Sequence, residues 1–286
     1  MTTKDERDRM SLRYIREVVV ASADVRTAAT FHQSAFGLEV VDGIESAQEV
    51  LLGVPGSPGG RLRLVAADDG ATPSDPPRVW DTGARLLGIY SHDLDHTAAA
   101  MAAAGGTPRR PVTYPYGTAS LSELVGLGAD GVWWTIPQAV PGAHRPSAAY
   151  AAEPRRMHSE LHTAVLVTAD HDGAVAFFEA AGLKAAFDGE LSGPPFDELV
   201  GIPADAGLRL AFLVGPGQEA ARLEIMSFTG VDSADRSGDV LGIQRLVFVA
   251  DDPAESYAAL LSAGAEPLAD LVVRGPEGVV IEVVSA

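Results

Sequence analysis

The chain has 286 residues, no cysteine, and 39 acidic against 21 basic residues, a net charge of −18. Its length predicts two domains at roughly 150 residues each, and 47% hydrophobic with 21% charged residues excludes a disordered polymer. The acidity disfavours a phosphate backbone as partner, with no basic strip longer than Arg109-Arg110 or Arg155-Arg156, and the missing thiols exclude disulfides, thiolate metal sites and a cysteine nucleophile.

In chain order, Val18-Val19-Val20 predicts a first strand. Asp24 then stands as an N-cap before an alanine-containing stretch of helical spacing that runs out at Gly37-Leu38. Residues 70–82, rich in Pro and Asp, read as a linker. A second strand–Asp–helix follows, with Asp93 as cap, Ala98–Ala104 as helix and an exit through Gly105 to Pro108. Tyr114-Pro115-Tyr116-Gly117 reads as a turn, and Trp133-Trp134 sit on one strand, facing opposite sides. Residues 138–157, with Pro141, Pro146 and Pro154, have linker composition. Val165-Leu166-Val167, Asp170 and a helix repeat the opening pattern, and Ser192–Asp197 reads as a loop that could carry ligand contacts. Asp252, the helix around Tyr257–Ala263 and the strand Val279-Val280-Ile281 close the chain.

These elements repeat. Asp24 and Phe31 return as Asp170 and Phe177, and Leu51–Pro55 is echoed by Leu199–Pro203. Asp93, Gly105 and Pro108 return as Asp252, Gly264 and Pro267. Each half is therefore two modules of strand, helix and further strands, spanning about 12–70, 84–137, 159–229 and 240–286. The expected domains are 12–137 and 158–286, joined by the linker 138–157.

This arrangement resembles the vicinal oxygen chelate superfamily, the glyoxalase, bleomycin-resistance and extradiol dioxygenase group. The signatures are strand–Asp–helix–Phe–Gly-Leu (Asp24 to Leu38, Asp170 to Leu183), Phe-Val-Ala-Asp-Asp at 248–252 and Gly-Pro-Glu-Gly-Val-Val-Ile-Glu at 275–282. The resemblance implies an α+β fold of four βαβββ modules paired into two cup-shaped domains. In metal-using members a divalent ion sits in the cup, held by the first and last strand of each paired module, where it stabilises an enediolate or oxyanion.

The resemblance places the first-strand ligand seven residues before the capping Asp, at Glu17, Leu86, Thr163 and Arg245, and the last-strand ligand at Arg63, Thr135, Glu224 and Glu282. Paired by halves, the N-terminal cup would hold Glu17, Arg63, Leu86 and Thr135 and no metal. The C-terminal cup would hold Thr163, Glu224, Arg245 and Glu282, an arginine facing two carboxylates, either as a site or as a structural ion pair. A one-residue shift of the first strands, as a bulge could produce, gives His162, Glu224, Gln244 and Glu282, a glyoxalase-type metal set; strand alternation argues against it. Of the remaining histidines, His32, His92, His96, His144, His158 and His171, most are expected to be solvated. Tyr114, Tyr116 and Trp133, with Tyr90, offer walls for a planar ligand in the second module, or fill its core.

Glu224 or Glu282 as general base with Arg245 as oxyanion partner would make a lyase or isomerase, or a ring-opening or ring-closing enzyme, on an oxygenated organic molecule. Thr163, Glu17, Arg63, Tyr114, Tyr116 and Trp133 are then candidate ligand contacts. The alternatives are a metal-free protein that sequesters an antibiotic or metabolite, and a scaffold without chemistry. The expected cofactor is none, with one divalent ion in the C-terminal cup only in the shifted register. The expected partner is a small organic molecule, without nucleic acid or membrane, in a monomer or homodimer. No apolar run approaches the ~20 residues of a membrane span, and the charged first ten residues lack a signal peptide's apolar core, so a cytoplasmic location is expected.

Overall fold

The structure, a computed structural model of the chain, describes residues 12–68, 75–116, 119–140, 144–216 and 221–286. The charged first ten residues lie outside the described part. The first module comprises β1 (Leu12–Ser22), α1 (Val25–Phe36), β2 (Glu39–Glu45), β3 (Glu49–Gly53) and β4 (Arg61–Ala66). The second holds β5 (Gly83–Ser91), α2 (Leu94–Ala103), β6 (Thr107–Pro108), β7 (Val112–Tyr116), β8 (Ala119–Leu127) and β9 (Trp133–Pro137). A short helix, α3 (Ala148–Ala152), leads to the third module: β10 (His158–Val167), α4 (His171–Ala180), β11 (Lys184–Ser192), α5 (Phe196–Val200), β12 (Gly207–Val214) and β13 (Arg222–Thr229). The fourth comprises β14 (Gly242–Ala250), α6 (Pro253–Ser262), β15 (Glu266–Ala269), β16 (Val272–Arg274) and β17 (Val280–Val284).

The four capping aspartates act as the sequence predicts. Asp24 accepts from the amides of Arg26 and Thr27, and Asp93, Asp170 and Asp252 accept from those of His96, Gly173 and Glu255, all at 2.9–3.0 Å. Each satisfies amides that would otherwise be orphaned at the helix start, an effect of about 1 kcal/mol.

The sheets do not follow the halves of the chain. One sheet runs β15-β16-β17-β14-β1-β4-β3-β2 and unites the first module with the fourth. The other runs β11-β12-β13-β10-β5-β9-β8-β6, with β7 on β8, and unites the second with the third. Central antiparallel pairs, β1 with β14 and β5 with β10, join the modules. This corrects the expected pairing: residues 12–137 and 158–286 each supply half of both cups. The reason is the edge each first strand exposes. A module alone leaves that edge unpaired, and the first strands of the first and fourth modules, and of the second and third, meet there.

Alternate positions on the first strands divide the core. Val18, Leu87, Ala164 and Leu246 face the helices and join one continuous apolar cluster with Phe31, Phe36, Trp134, Phe178 and Phe248. The opposite phase, Leu86, Val165 and Val167 with Trp133, Leu210 and Met226, belongs to a second cluster on the other face of the nine-stranded sheet. The expectation of mostly solvated histidines is also corrected. His32 is 1% exposed, packed between Phe31, Phe36 and Trp134, and burial lowers its pKa to about 3. His158 and His171 are buried too.

Candidate functional site

The eight register positions fall in equivalent places in all four modules. The parallel pairs Val19–Arg63, Gly88–Thr135, Val165–Glu224 and Val247–Glu282 each join the last-strand residue to the residue two beyond its first-strand partner. Because the sheets mix the halves, the residues regroup. Glu17, Arg63, Arg245 and Glu282 share the eight-stranded sheet, whereas Leu86, Thr135, Thr163 and Glu224 share the nine-stranded one.

Ion pairs occupy the first group. The Arg63 guanidinium donates to Glu17 at 2.7 Å and to Glu49, and Glu17 raises the arginine's pKa. Arg245 donates to Glu282 at 2.7 Å. Arg245 therefore does not face Glu224, and Glu282 is not in Glu224's cup. The shifted set divides in the same way. His162 and Glu224 lie in one sheet, Gln244 and Glu282 in the other, and the Gln244 amide donates to the carbonyls of Asp239 and Gly242.

The second group opens into a cavity of about 150 Å³. Glu224 on β13 lies at its wall, 5% exposed, 3.5 Å from the Thr163 hydroxyl and 3.8 Å from the Arg222 guanidinium. Burial pushes its pKa up to about 7; Arg222 opposes the shift and Glu123 adds to it. Glu123 on β8 accepts from the hydroxyls of Tyr114 and Thr135, and burial raises its pKa as well. Two carboxylates from different modules thus share one low-dielectric cup. Such an arrangement favours a proton on one of them near neutrality.

A bulge adds a histidine. The register of β10 on β5 jumps from Leu161–Ile89 to Thr163–Gly88, leaving His162 between pairs, and its ring lines the same cavity. A bulge of this kind re-aims a side chain without moving the rest of the strand. His162 stacks on Tyr90 with ring centroids 4.0 Å apart, and neither ring nitrogen has a hydrogen-bond partner among the described residues. Burial, with Arg222 and Arg145 nearby, holds its pKa well below the ordinary value, so the imidazole is neutral. Gly88 makes the room: a Cβ there would lie 2.3 Å from Thr163 and 3.0 Å from His162.

The rim comes from segments that read as loop or linker. Phe196 on α5 lines the cavity and packs against Tyr114 at 4.8 Å. Arg145 precedes α3, whose start is capped by the buried Glu160 through Ser147, Ala148 and Ala149. That capping folds the linker against β10 and brings His144 and Arg145 to the cavity. Trp133 lies in the apolar cluster of this face but is otherwise engaged, donating to the Pro77 carbonyl at 2.7 Å with Arg109 over its ring. Tyr116 ends β7, and its side chain lies outside the described part.

Sequence reasoning missed Glu123, Arg222, Arg145 and His144. Two signals were present. Glu123 is a lone acid in phase with Leu121 and Val125, and Arg222 stands in phase with Glu224 and Met226. Nothing in the proline-rich linker marks Arg145.

Comparison with known proteins finds a similarity over the first part of the chain. Residues 14–136 match the model of the Glyoxalase/Bleomycin resistance protein/Dioxygenase superfamily. No curated protein matches the chain. Among solved structures, glyoxalase I from Zea mays superposes with a TM-score of 0.66 at 17% identity, covering 96% of this chain and 92% of that one. A variant of the same maize enzyme gives 0.64 at 16% identity, covering 95% and 94%. The whole chain therefore has the glyoxalase fold.

The resemblance implies metal donors at the register positions, and here neither group of residues fits a divalent ion. Leu86, Thr135, Thr163 and Glu224 offer one carboxylate, two hydroxyls and an alkyl chain, and Glu17, Arg63, Arg245 and Glu282 carry their own cations. Among the described residues, no three His, Asp or Glu side chains are grouped to hold an ion. Nor is any described helix long and apolar enough to cross a membrane.

Proposed function

We propose that this chain is a lyase or isomerase that moves a proton on a small oxygenated organic molecule, in the cup of the second and third modules and without a metal. The observation that carries the reading is Glu224, a buried carboxylate at the wall of a largely apolar cavity, with a guanidinium 3.8 Å away. In the ionised form Glu224 removes a proton from the carbon beside a carbonyl, and the electron pair moves onto the oxygen. Arg222 takes the place given to Arg245 in the sequence and stabilises that oxygen. Neutral His162 can donate a hydrogen bond to the same oxygen from one ring nitrogen. In an isomerase acting on an α-hydroxy carbonyl compound, the hydroxyl proton passes to the enolate oxygen and the proton held on Glu224 returns to the former carbonyl carbon. In a lyase, a group leaves from the adjacent carbon instead.

A pKa near 7 suits a base that must be ionised yet still hold the proton it takes. The rate of solvent deuterium exchange into a bound carbonyl acid is therefore expected to rise with pH and level off above about 7. Glu224→Gln is expected to lower it by about a hundredfold or more. Unchanged exchange in that variant would remove Glu224 as the base.

The second reading, sequestration, draws on the aromatic pair Tyr114 and Phe196 over an apolar cavity. It predicts saturable binding in both forms of the protein and no exchange in either.

A further inference from the structure

We propose that residues 193–206 form a lid over the cup of the second and third modules, hinged at Gly193 and Gly201 and kept ready to open by the buried carboxyl group of Asp197. Access to the cavity matters equally to a catalyst and to a sequestering protein.

The path of the chain sets the hinge. β11 and β12 stay paired up to Ser192 and Gly207, so the segment between them leaves and re-enters the sheet at one point. It can therefore swing without disturbing either strand. Gly193 and Gly201 flank α5 with φ of +74° and +72°, in the left-handed region that glycine enters without strain. The hydrogen bonds of the segment close within it. The amides of Phe196, Leu199, Gly201 and Ala206 donate to the carbonyls of Gly193, Pro195, Asp197 and Pro203 at 2.8–3.0 Å. Among the described residues, no hydrogen bond ties the segment to the walls of the cup. Apolar contact holds it there instead: Phe196, Leu199 and Val200 line the cavity, and the Phe196 ring lies 4.8 Å from that of Tyr114. Contact of that kind is broken and remade without orphaning a backbone group.

Asp197 opposes closure. Its neighbour Glu198 is exposed, but Asp197 is turned inward and is 9% exposed. Both of its carboxyl oxygens are buried, and neither has a hydrogen-bond partner among the described residues. The Arg109 guanidinium lies against Gly201 and over the Trp133 ring, and among the described residues it makes no ion pair with Asp197. A carboxyl group held out of water without a partner is costly. Opening the lid hydrates it, whereas closing the lid buries Phe196, Leu199 and Val200. The closed state is therefore favoured by less than its apolar contacts alone would give. A lid so balanced admits a small molecule and then keeps water from Glu224.

The test exploits the absence of cysteine from the chain. Val125→Cys places one thiol on the cavity wall, on the strand β8 against which α5 packs, and Val18→Cys places one in the helix-facing core; both positions are 1% exposed. Each full-chain variant is treated with N-ethylmaleimide under native conditions. The thiol of Val125→Cys, reached by lid opening, is expected to label at least about tenfold faster than that of Val18→Cys, reached only by unfolding. Asp197→Leu, added to Val125→Cys, is expected to slow labelling at least about tenfold, and Phe196→Ala to speed it by at least about as much. Equal labelling of the two thiols, or labelling of Val125→Cys unchanged by Phe196→Ala, would overturn the lid. Unchanged or faster labelling with Asp197→Leu would overturn the part given to Asp197. These rates do not depend on whether Glu224 is a base.

Discussion

At the residue scale, Glu224 is a carboxylate held largely out of water. An ionised carboxylate in an apolar wall is costly, and Thr163 at 3.5 Å with Arg222 at 3.8 Å offsets only part of that cost. The folded protein therefore keeps a proton on Glu224 up to about pH 7, whereas the unfolded chain releases it near 4.5. Between those values the folded state binds more protons, so stability declines as pH rises. The contribution is on the order of 3 kcal/mol across the window. Urea unfolding of Glu224→Gln is expected to show a shallower loss of stability between pH 5 and about 8 than the parent protein. An identical slope would mean that Glu224 ionises freely. His32 acts on the other side: neutral and buried, it costs stability as pH falls below the ordinary histidine range.

At the element scale, the wall of the cup depends on a bulge and on the glycine facing it. β10 places both His162 and Thr163 toward the cup only because Gly88 on β5 has no side chain. Gly88→Ala is expected to push Thr163 and His162 out of register, lowering exchange by at least about tenfold and stability by about 1–3 kcal/mol. Full activity with wild-type stability would show that the wall tolerates the methyl. Helices and first strands were legible in the sequence, because Asp24, Asp93, Asp170 and Asp252 announce caps and the β-branched runs alternate cleanly. The bulge was only half legible. Strand alternation put Gln244 on the face of Leu246 and Phe248 and so argued against the shifted register, whereas a one-residue irregularity turns His162 to the cavity. The folded linker was not legible: Ser147 and Glu160 cap α3 across the sheet partner they precede, a tertiary contact that proline content conceals.

At the scale of the whole molecule, the repeat was visible but its pairing was not. All four modules carry the same register, so sequence similarity alone matches first with second and third with fourth as readily as first with fourth and second with third. The structure makes the second choice, and the two cups that result differ in character. One neutralises its own charges through Arg63–Glu17 and Arg245–Glu282, and the other keeps a buried carboxylate beside a cavity. Each half of the chain contributes to both sheets, so residues 1–140 expressed alone are expected to be unfolded or self-associated by sedimentation and circular dichroism. Mixing with residues 141–286 is expected to restore one cooperative particle, and a stable folded monomer from either half would contradict the sheet order. The most direct test compares Glu224→Gln with Glu282→Gln for deuterium exchange into a bound carbonyl acid, with both variants shown to be folded. Loss of exchange in Glu224→Gln with near-parent rates in Glu282→Gln is the expected result. Loss in Glu282→Gln with exchange retained in Glu224→Gln would place the chemistry in the other cup and contradict the account.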